Sequence, residues 1–363
     1  MRFIDEFRDA GLARRLAEKI ARVSTRPARL MEFCGGHTVA IMRNGIRQLL
    51  PTTIEMLSGP GCPVCVTSNS DIDQAIALAR LPDVIIATFG DMLKVPGSYS
   101  SLQKARAEGG DIRIVYSTQD ALQVARDNPQ QSVIFIGVGF ETTAPTIALA
   151  VVQAEKEGLR NFHVLCRLKT TPPAMRALLD LGEIRLNGIL CPGHVTTVIG
   201  IGPYQAYARD YGVACVVAGF EPVDILQAVE MLVQQIERVE PDVEIAYTRG
   251  VRPEGNLKAL ELMHNVFDTT GASWRGIGEI PNSGLKLKVK YARFDAGREF
   301  DVALPPAREA PGCRCGEVLR GVIRPTGCKL FRKACSPENP IGPCMVSSEG
   351  SCAAYYQYGE SDG

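Results

Sequence analysis

The chain has 363 residues, 45% of them hydrophobic, with 40 lysines and arginines against 40 aspartates and glutamates. That is enough apolar sequence for two or three domains with cores of their own, so the chain reads as globular. The balanced charge, with no basic run interleaved with aromatics, gives no reason to expect nucleic acid or an anionic membrane surface as a partner.

The N-terminal stretch MRFIDEFRDAGLARRLAEKIARV is charged throughout and lacks the apolar centre of a signal peptide. No later run approaches the length of a membrane span, so the expected location is cytoplasmic and off the membrane. Within residues 11–24 the spacing of Leu12, Leu16 and Ile20 predicts an amphipathic helix. Residues 1–24 are taken as a separate helical element, expected to pack on the C-terminal domain.

Eight short runs follow: RLMEF, TIEML, VIIATF, IRIVYS, SVIFIGV, FHVLC, GILC and ACVVAGF. Each is continuously apolar and too short for a core helix, which predicts parallel strands buried on both faces. The stretches between them, such as TAPTIALAVVQAEKEG and PVDILQAVEMLVQQIERVE, have helical periodicity. Strand–helix alternation predicts doubly wound α/β layers. The polar DNPQQS at 127–132 suggests two similar sheets, with α/β domains at 25–128 and 129–240. Gly139-Phe140-Glu141 recurs as Gly219-Phe220-Glu221, a short echo consistent with duplication or with shared loop chemistry. After residue 240 proline, glycine, charge and six cysteines accumulate, and 303–345 has little periodicity. Such a segment buries little surface by itself, so 241–363 reads as a cysteine-rich domain tied down by ligation.

There are twelve cysteines. In a long chain without an export signal thiols stay reduced, which makes them ligands, redox groups or core residues rather than structural bridges. Ligands of open α/β sheets bind beyond the carboxyl ends of the strands, and the loops there read CGGHT, GPGCPVC, FGDMLKVPG, GFETT, CPGHVTT and GFEP. Cys34 stands between a strand and a helix start, where backbone amides favour a thiolate. Gly35 and Gly36 let a bound group approach, and His37 falls on the same side of the first turn. The plain alternative is a glycine turn beside a buried thiol.

Cys62-Pro63-Val64-Cys65 has the spacing of a redox dithiol or of half a zinc site, and no second half follows nearby. Cys313, Cys315, Cys328, Cys335, Cys344 and Cys352 could supply a tetrathiolate site. Their irregular spacing disfavours a zinc ribbon and leaves an iron–sulfur cluster as a candidate. Gly137-Val138-Gly139 lacks the third glycine of a dinucleotide loop, having Thr142 in its place. His194 either reaches the site or is a satisfied loop histidine. His163 and His264, with Cys166, Cys191 and Cys215, read as structural.

In order, CGGHT, GPGCPVCV, TFGDMLKVPG, GFETTAPT, PGHV, VAGFEP and MVSSEGSCAAYYQY resemble the hydrogenase maturation protein family HypD over nearly the whole chain. The resemblance implies two α/β domains facing a cleft, plus an iron–sulfur domain. Its function would be that of a scaffold on which the Fe(CN)2CO unit of [NiFe]-hydrogenase is assembled, with a HypC-type chaperone and a HypE-type cyanide donor as partners. Cys34 would hold the iron beside His37, and Cys62 and Cys65 would line the same cleft. Cys315, Cys328, Cys335 and Cys352 would bind a [4Fe–4S] cluster, with Glu349 between cluster and cleft; Cys313 and Cys344 fall outside the pattern. The competing reading is an iron–sulfur thiol–disulfide oxidoreductase acting on a protein client. A third, a nucleotide- or sugar-phosphate enzyme, lacks a full phosphate loop.

Overall fold

A computed structural model describes residues 5–359. All eight predicted runs are strands: β1 (Ala28–Glu32), β2 (Ile54–Ser58), β3 (Val84–Thr88), β4 (Asp111–Ile114), β5 (Ser132–Gly139), β6 (Phe162–Leu168), β7 (Gly188–Pro192) and β8 (Ala214–Ala218). A short edge strand, β9 (Val243–Ile245), escaped the sequence reading because three residues carry no period. The strands form two parallel sheets, β2-β1-β7-β8-β9 and β4-β3-β5-β6.

Successive residues of each strand point to opposite faces, and both faces are covered. In the first sheet Leu30, Met56, Leu190 and Val216 enter one core, while Met31, Leu57, Ile189 and Val217 enter another. In the second, Ile85, Val133, Phe135 and Val164 oppose Ile86, Ile134, Ile136 and Leu165. Dual burial is why these strands read as continuous apolar runs.

The expected boundary at 128/129 does not divide the sheets. The chain lays down β1 and β2, leaves to build the whole second sheet with β3 to β6, then returns to complete the first with β7 to β9. DNPQQS is a turn inside the second sheet, between the helix Thr118–Asp127 and β5. Apolar runs reveal that a segment is a strand but not which strand it pairs with, and the partner of β1 across the sheet, β7, begins at residue 188. Relabelled in order of appearance, the first sheet runs 2-1-3-4-5 and the second 2-1-3-4. The two layers are therefore alike in topology, but the Gly-Phe-Glu echo follows the third strand of one and the fourth of the other. It marks similar loops, not equivalent positions.

The N-terminal helix α1 (Ala10–Val23) packs on the helix Pro222–Arg238 of the first sheet, not on the C-terminal region. Its buried stripe is Ala13, Ala17 and Ile20, with Leu12 and Leu16 only partly buried beside it, because the two alanines allow a close approach. Bidentate hydrogen bonds from Arg8 to Glu221, at 2.6 and 2.8 Å, fix the start of the helix, and Arg249 stacks 3.6 Å from the Phe7 ring.

Residues 241–300 likewise belong with the layers. The helix Leu257–Val266 and the hairpin of β10 (Phe267–Trp274) and β11 (Gly278–Leu287) place Met263, Val266, Phe267 and Leu285 in a core of the second sheet. Residues 301–314 have no regular structure, as their composition predicts, and beyond them come only short helices ending in Ser351–Tyr358. Among the described residues no helix is long and apolar enough to cross a membrane.

Candidate thiol site and cysteine cavity

In a sheet ordered 2-1-3-4-5 the strand order reverses between the first and third strands, and the crevice at that switch point is where ligands bind. Here it lies between β1 and β7, whose following loops carry Cys34 and His194. Cys34 caps the helix α2 (Gly35–Arg43) with extended backbone and a side chain free of any capping bond. Its amide donates to Glu32 Oε2 at 3.0 Å, and Thr38 Oγ1 donates to Glu32 Oε1. Glu32 is buried, and burial pushes its carboxyl up to about 8.

Two glycines lock this loop. The Gly35 amide donates to the Gly61 carbonyl at 3.0 Å, and a Cβ on Gly61 would lie 2.5 Å from the Cys34 Cα. A Cβ on Gly35 would meet the Glu349 Cβ at 2.5 Å. Only residues without side chains admit such approach. The CGGHT loop, the CPVC loop and the tail segment around Glu349 therefore meet backbone to backbone.

Cys34 is half-buried, and beside it opens a cavity of about 660 Å³ lined by Gly36, Arg43, Phe220, Glu221, Glu349 and Tyr358. The expectation of an acidified thiol is corrected. Burial pushes Cys34 up to about 12, and the negative charges of Glu349 and Glu32 add to it, outweighing the amides of Gly36 and His37. His37 Nε2–H donates to the Ala218 carbonyl at 3.2 Å, which leaves the buried Nδ1 without a partner. Burial lowers this imidazole to about 4, so it is neutral at neutral pH. Phe220 is stacked between His37, centroids 4.6 Å apart, and His194 at 3.9 Å. His194 is thus in the site, and Phe220 was recognisable only as part of the Gly-Phe-Glu echo.

Cys62 and Cys65 form a disulfide at the start of the short helix Pro63–Val66. Cys65 Sγ lies 3.8 Å from the Pro343 carbonyl, next to Cys344. Cys62, Cys65, Phe140, Trp274, Cys315 and Cys344 share one apolar cluster, so the dithiol loop sits between the two sheets and against the tail.

All six tail cysteines line one small cavity together with Phe331 and Met345. Cys313 and Cys344, which fell outside the resemblance, are part of it. Hydrogen bonds from the thiols of Cys313 and Cys344 hold Cys315 well below its ordinary range, whereas Cys344, between Cys315 and Cys352, is held well above it. Among the described residues no three histidine, cysteine or acidic side chains converge tightly enough to chelate a single ion. An all-sulfur donor set spread around one cavity fits a multinuclear iron–sulfur group better than a single hard cation.

The fold and these loops define a two-sheet α/β protein with cysteines gathered in the loops at the sheet ends and in the tail. A family model described as HypD, hydrogenase formation hypA family, matches residues 11–359. Hydrogenase maturation factor HypD of Azotobacter vinelandii is 49% identical over 368 residues, covering 99% of this chain and 97% of that protein. Its namesake of Escherichia coli (strain K12) is 46% identical over 370 residues, covering 100% of this chain and 99% of that one. The chain belongs to the HypD family of hydrogenase maturation factors.

Proposed function

We propose that this protein is the scaffold on which an iron atom acquires cyanide and carbon monoxide before delivery to a [NiFe]-hydrogenase. The observation that carries the reading is the half-buried Cys34 at the switch point, in a loop interlocked with that of Cys62 and Cys65, with Gly36 two residues on lining a 660 Å³ cavity. Low-spin ferrous iron with such ligands is soft and suits a thiolate. Because the Cys34 thiol is protonated at neutral pH, iron binding there must release its proton. The cavity leaves room for a second sulfur from a HypC-type chaperone, and a HypE-type protein would bring cyanide.

Cys315, Cys328, Cys335 and Cys352 would hold a [4Fe–4S] cluster, with Cys313 and Cys344 beside it. Bound there, that group supplies electrons one at a time. Opening the Cys62–Cys65 disulfide takes two electrons and two protons and yields two thiols, and Cys344 and the Pro343 carbonyl provide the contact between the two regions. The formed disulfide also favours a second reading, a thiol–disulfide oxidoreductase with a protein client.

Complementation separates the two. In cells lacking their own copy, Cys34→Ala is expected to abolish hydrogenase maturation, and Cys62→Ala with Cys65→Ala to stop it before the iron is fully cyanylated. Maturation by Cys34→Ala, together with turnover of a disulfide substrate, would instead establish the second reading.

A further inference from the structure

Arg275 lies at the tip of the β10–β11 hairpin and is 4% exposed. An isolated buried guanidinium is costly, and its donors ordinarily find acceptors. Here Nε and Nη2 have no hydrogen-bond partner. The nearest carboxylate, Glu309, stands 3.8 Å from Nε, beyond hydrogen-bond reach, and is 59% exposed.

The backbone explains how so poor a position is enforced. The Arg275 amide donates to the Val66 carbonyl at 2.9 Å, one residue past the dithiol, and Thr67 bridges to Trp274. On the other side, Gly276 packs against Gly316, so closely that a Cβ on it would overlap the Gly316 Cα, and Arg320 donates to the Gly276 carbonyl. Arg275 is therefore pinned between the CPVC loop and the segment that begins at Cys315. Trp274, just before it, packs in one cluster with Cys315 and Cys344, and Gly276, just after it, touches the residue that follows Cys315, so the Arg275 backbone lies beside the tail sulfurs. A buried cation with spare donors, held beside a set of sulfurs, is placed to offset negative charge that gathers on them.

We propose that Arg275 is an electrostatic positioning residue for the tail sulfurs, whose buried charge stabilises the reduced form of the metal group they hold and so raises its reduction potential. This rests on the reading of the tail as an iron–sulfur site. Adding an electron adds negative charge, and a fixed cation nearby in a low-dielectric setting lowers the energy of the reduced form more than that of the oxidised form.

The test uses full-length wild type, Arg275→Gln and Arg275→Lys, each reconstituted anaerobically with ferrous iron and sulfide, with the exposed Arg209→Gln as control. Iron and sulfide are counted first, and the midpoint is then titrated by electron paramagnetic resonance. With equal loading, Arg275→Gln is expected to change the reduced-to-oxidised ratio at fixed potential about tenfold toward oxidised. That corresponds to a midpoint about 59 mV lower for a one-electron couple. Arg275→Lys should stay near wild type, and so should Arg209→Gln.

A fully loaded Arg275→Gln protein that titrates with wild type overturns the proposal. If Arg275→Gln does not load, Arg275→Lys decides: restored loading at a near-wild-type midpoint supports a role for the charge, and failure of both variants assigns Arg275 to packing and overturns it. Wild type that takes up no iron and sulfide would instead defeat the underlying reading of the tail, and the proposal with it.

Discussion

Around Cys34 the backbone itself is the scaffold: a strand end, a helix start and two glycine contacts fix the sulfur before any ligand arrives. Around Cys315 six thiols gather about one small cavity, on a segment with only short helices and a lead-in at 301–314 that has no regular structure. The first arrangement draws its rigidity from two sheets buried on both faces. The second rests on short helices around a small apolar cluster that includes Phe331, Met345 and Tyr355, and under the proposed function it would gain further order from what the sulfurs bind. Under the proposed function, one site would release its cargo and the other would keep a resident group.

The largest expected effect breaks the first region. In Gly61→Ala the new methyl would lie 2.5 Å from the Cys34 Cα, and backbone has little room to give. The expected cost is roughly 3 kcal/mol or more, the upper end of overpacking, read as a lowered denaturation midpoint. Gly342→Ala meets the Cys313 sulfur at 2.6 Å, the end of a side chain that can rotate, and should cost about 1 kcal/mol. Equal costs would erase the distinction between a backbone-built and a thiol-built site.

Next in size is the response to metal loss. Oxidative removal of iron and sulfide is expected to speed amide exchange by at least an order of magnitude across residues 313–352, while β1 and β7 keep their protection. Uniform exchange across both regions in the two states would refute the claim that ligation orders the tail.

The last effect depends on pH and concerns a buried carboxyl two residues past β5. Glu141 is buried, accepting from the Thr171 amide at 2.8 Å, and burial pushes its carboxyl up to about 7 despite that bond. A folded value above the unfolded one means stability fully present below the ordinary carboxyl range and lost as pH rises through about 7. Glu141→Gln should therefore flatten stability between pH 4.5 and 8, gaining on wild type by at most about 3 kcal/mol at the upper end. Parallel melting profiles for the two proteins would contradict a buried neutral carboxyl.

Much of this was legible in the residues. The eight apolar runs gave their strands because double burial leaves an unbroken pattern, and Cys34, Cys62 and Cys65 stood out because glycine and cysteine together at a strand end have few bland explanations. Three things were hidden. Strand partnership is set by long-range packing, so the insertion of the second sheet between β2 and β7 left no local trace. The high thiol pKa of Cys34 arises from burial and from Glu32 and Glu349, one of them far away in sequence. Arg275 resembles any hairpin arginine until the Gly276–Gly316 contact is seen. Glu32 had a signal that could have been used, since residues two apart in a strand share a face, which puts a carboxylate on the side of Cys34.

Infrared spectroscopy of the protein isolated anaerobically with its maturation partners tests the central claim most directly, provided iron and sulfide are counted on the same sample. The account requires cyanide and carbon monoxide stretching bands from wild type, and their loss from Cys34→Ser at an unchanged tail iron and sulfide content. The same bands in Cys34→Ser would place the iron on some other ligand and contradict it.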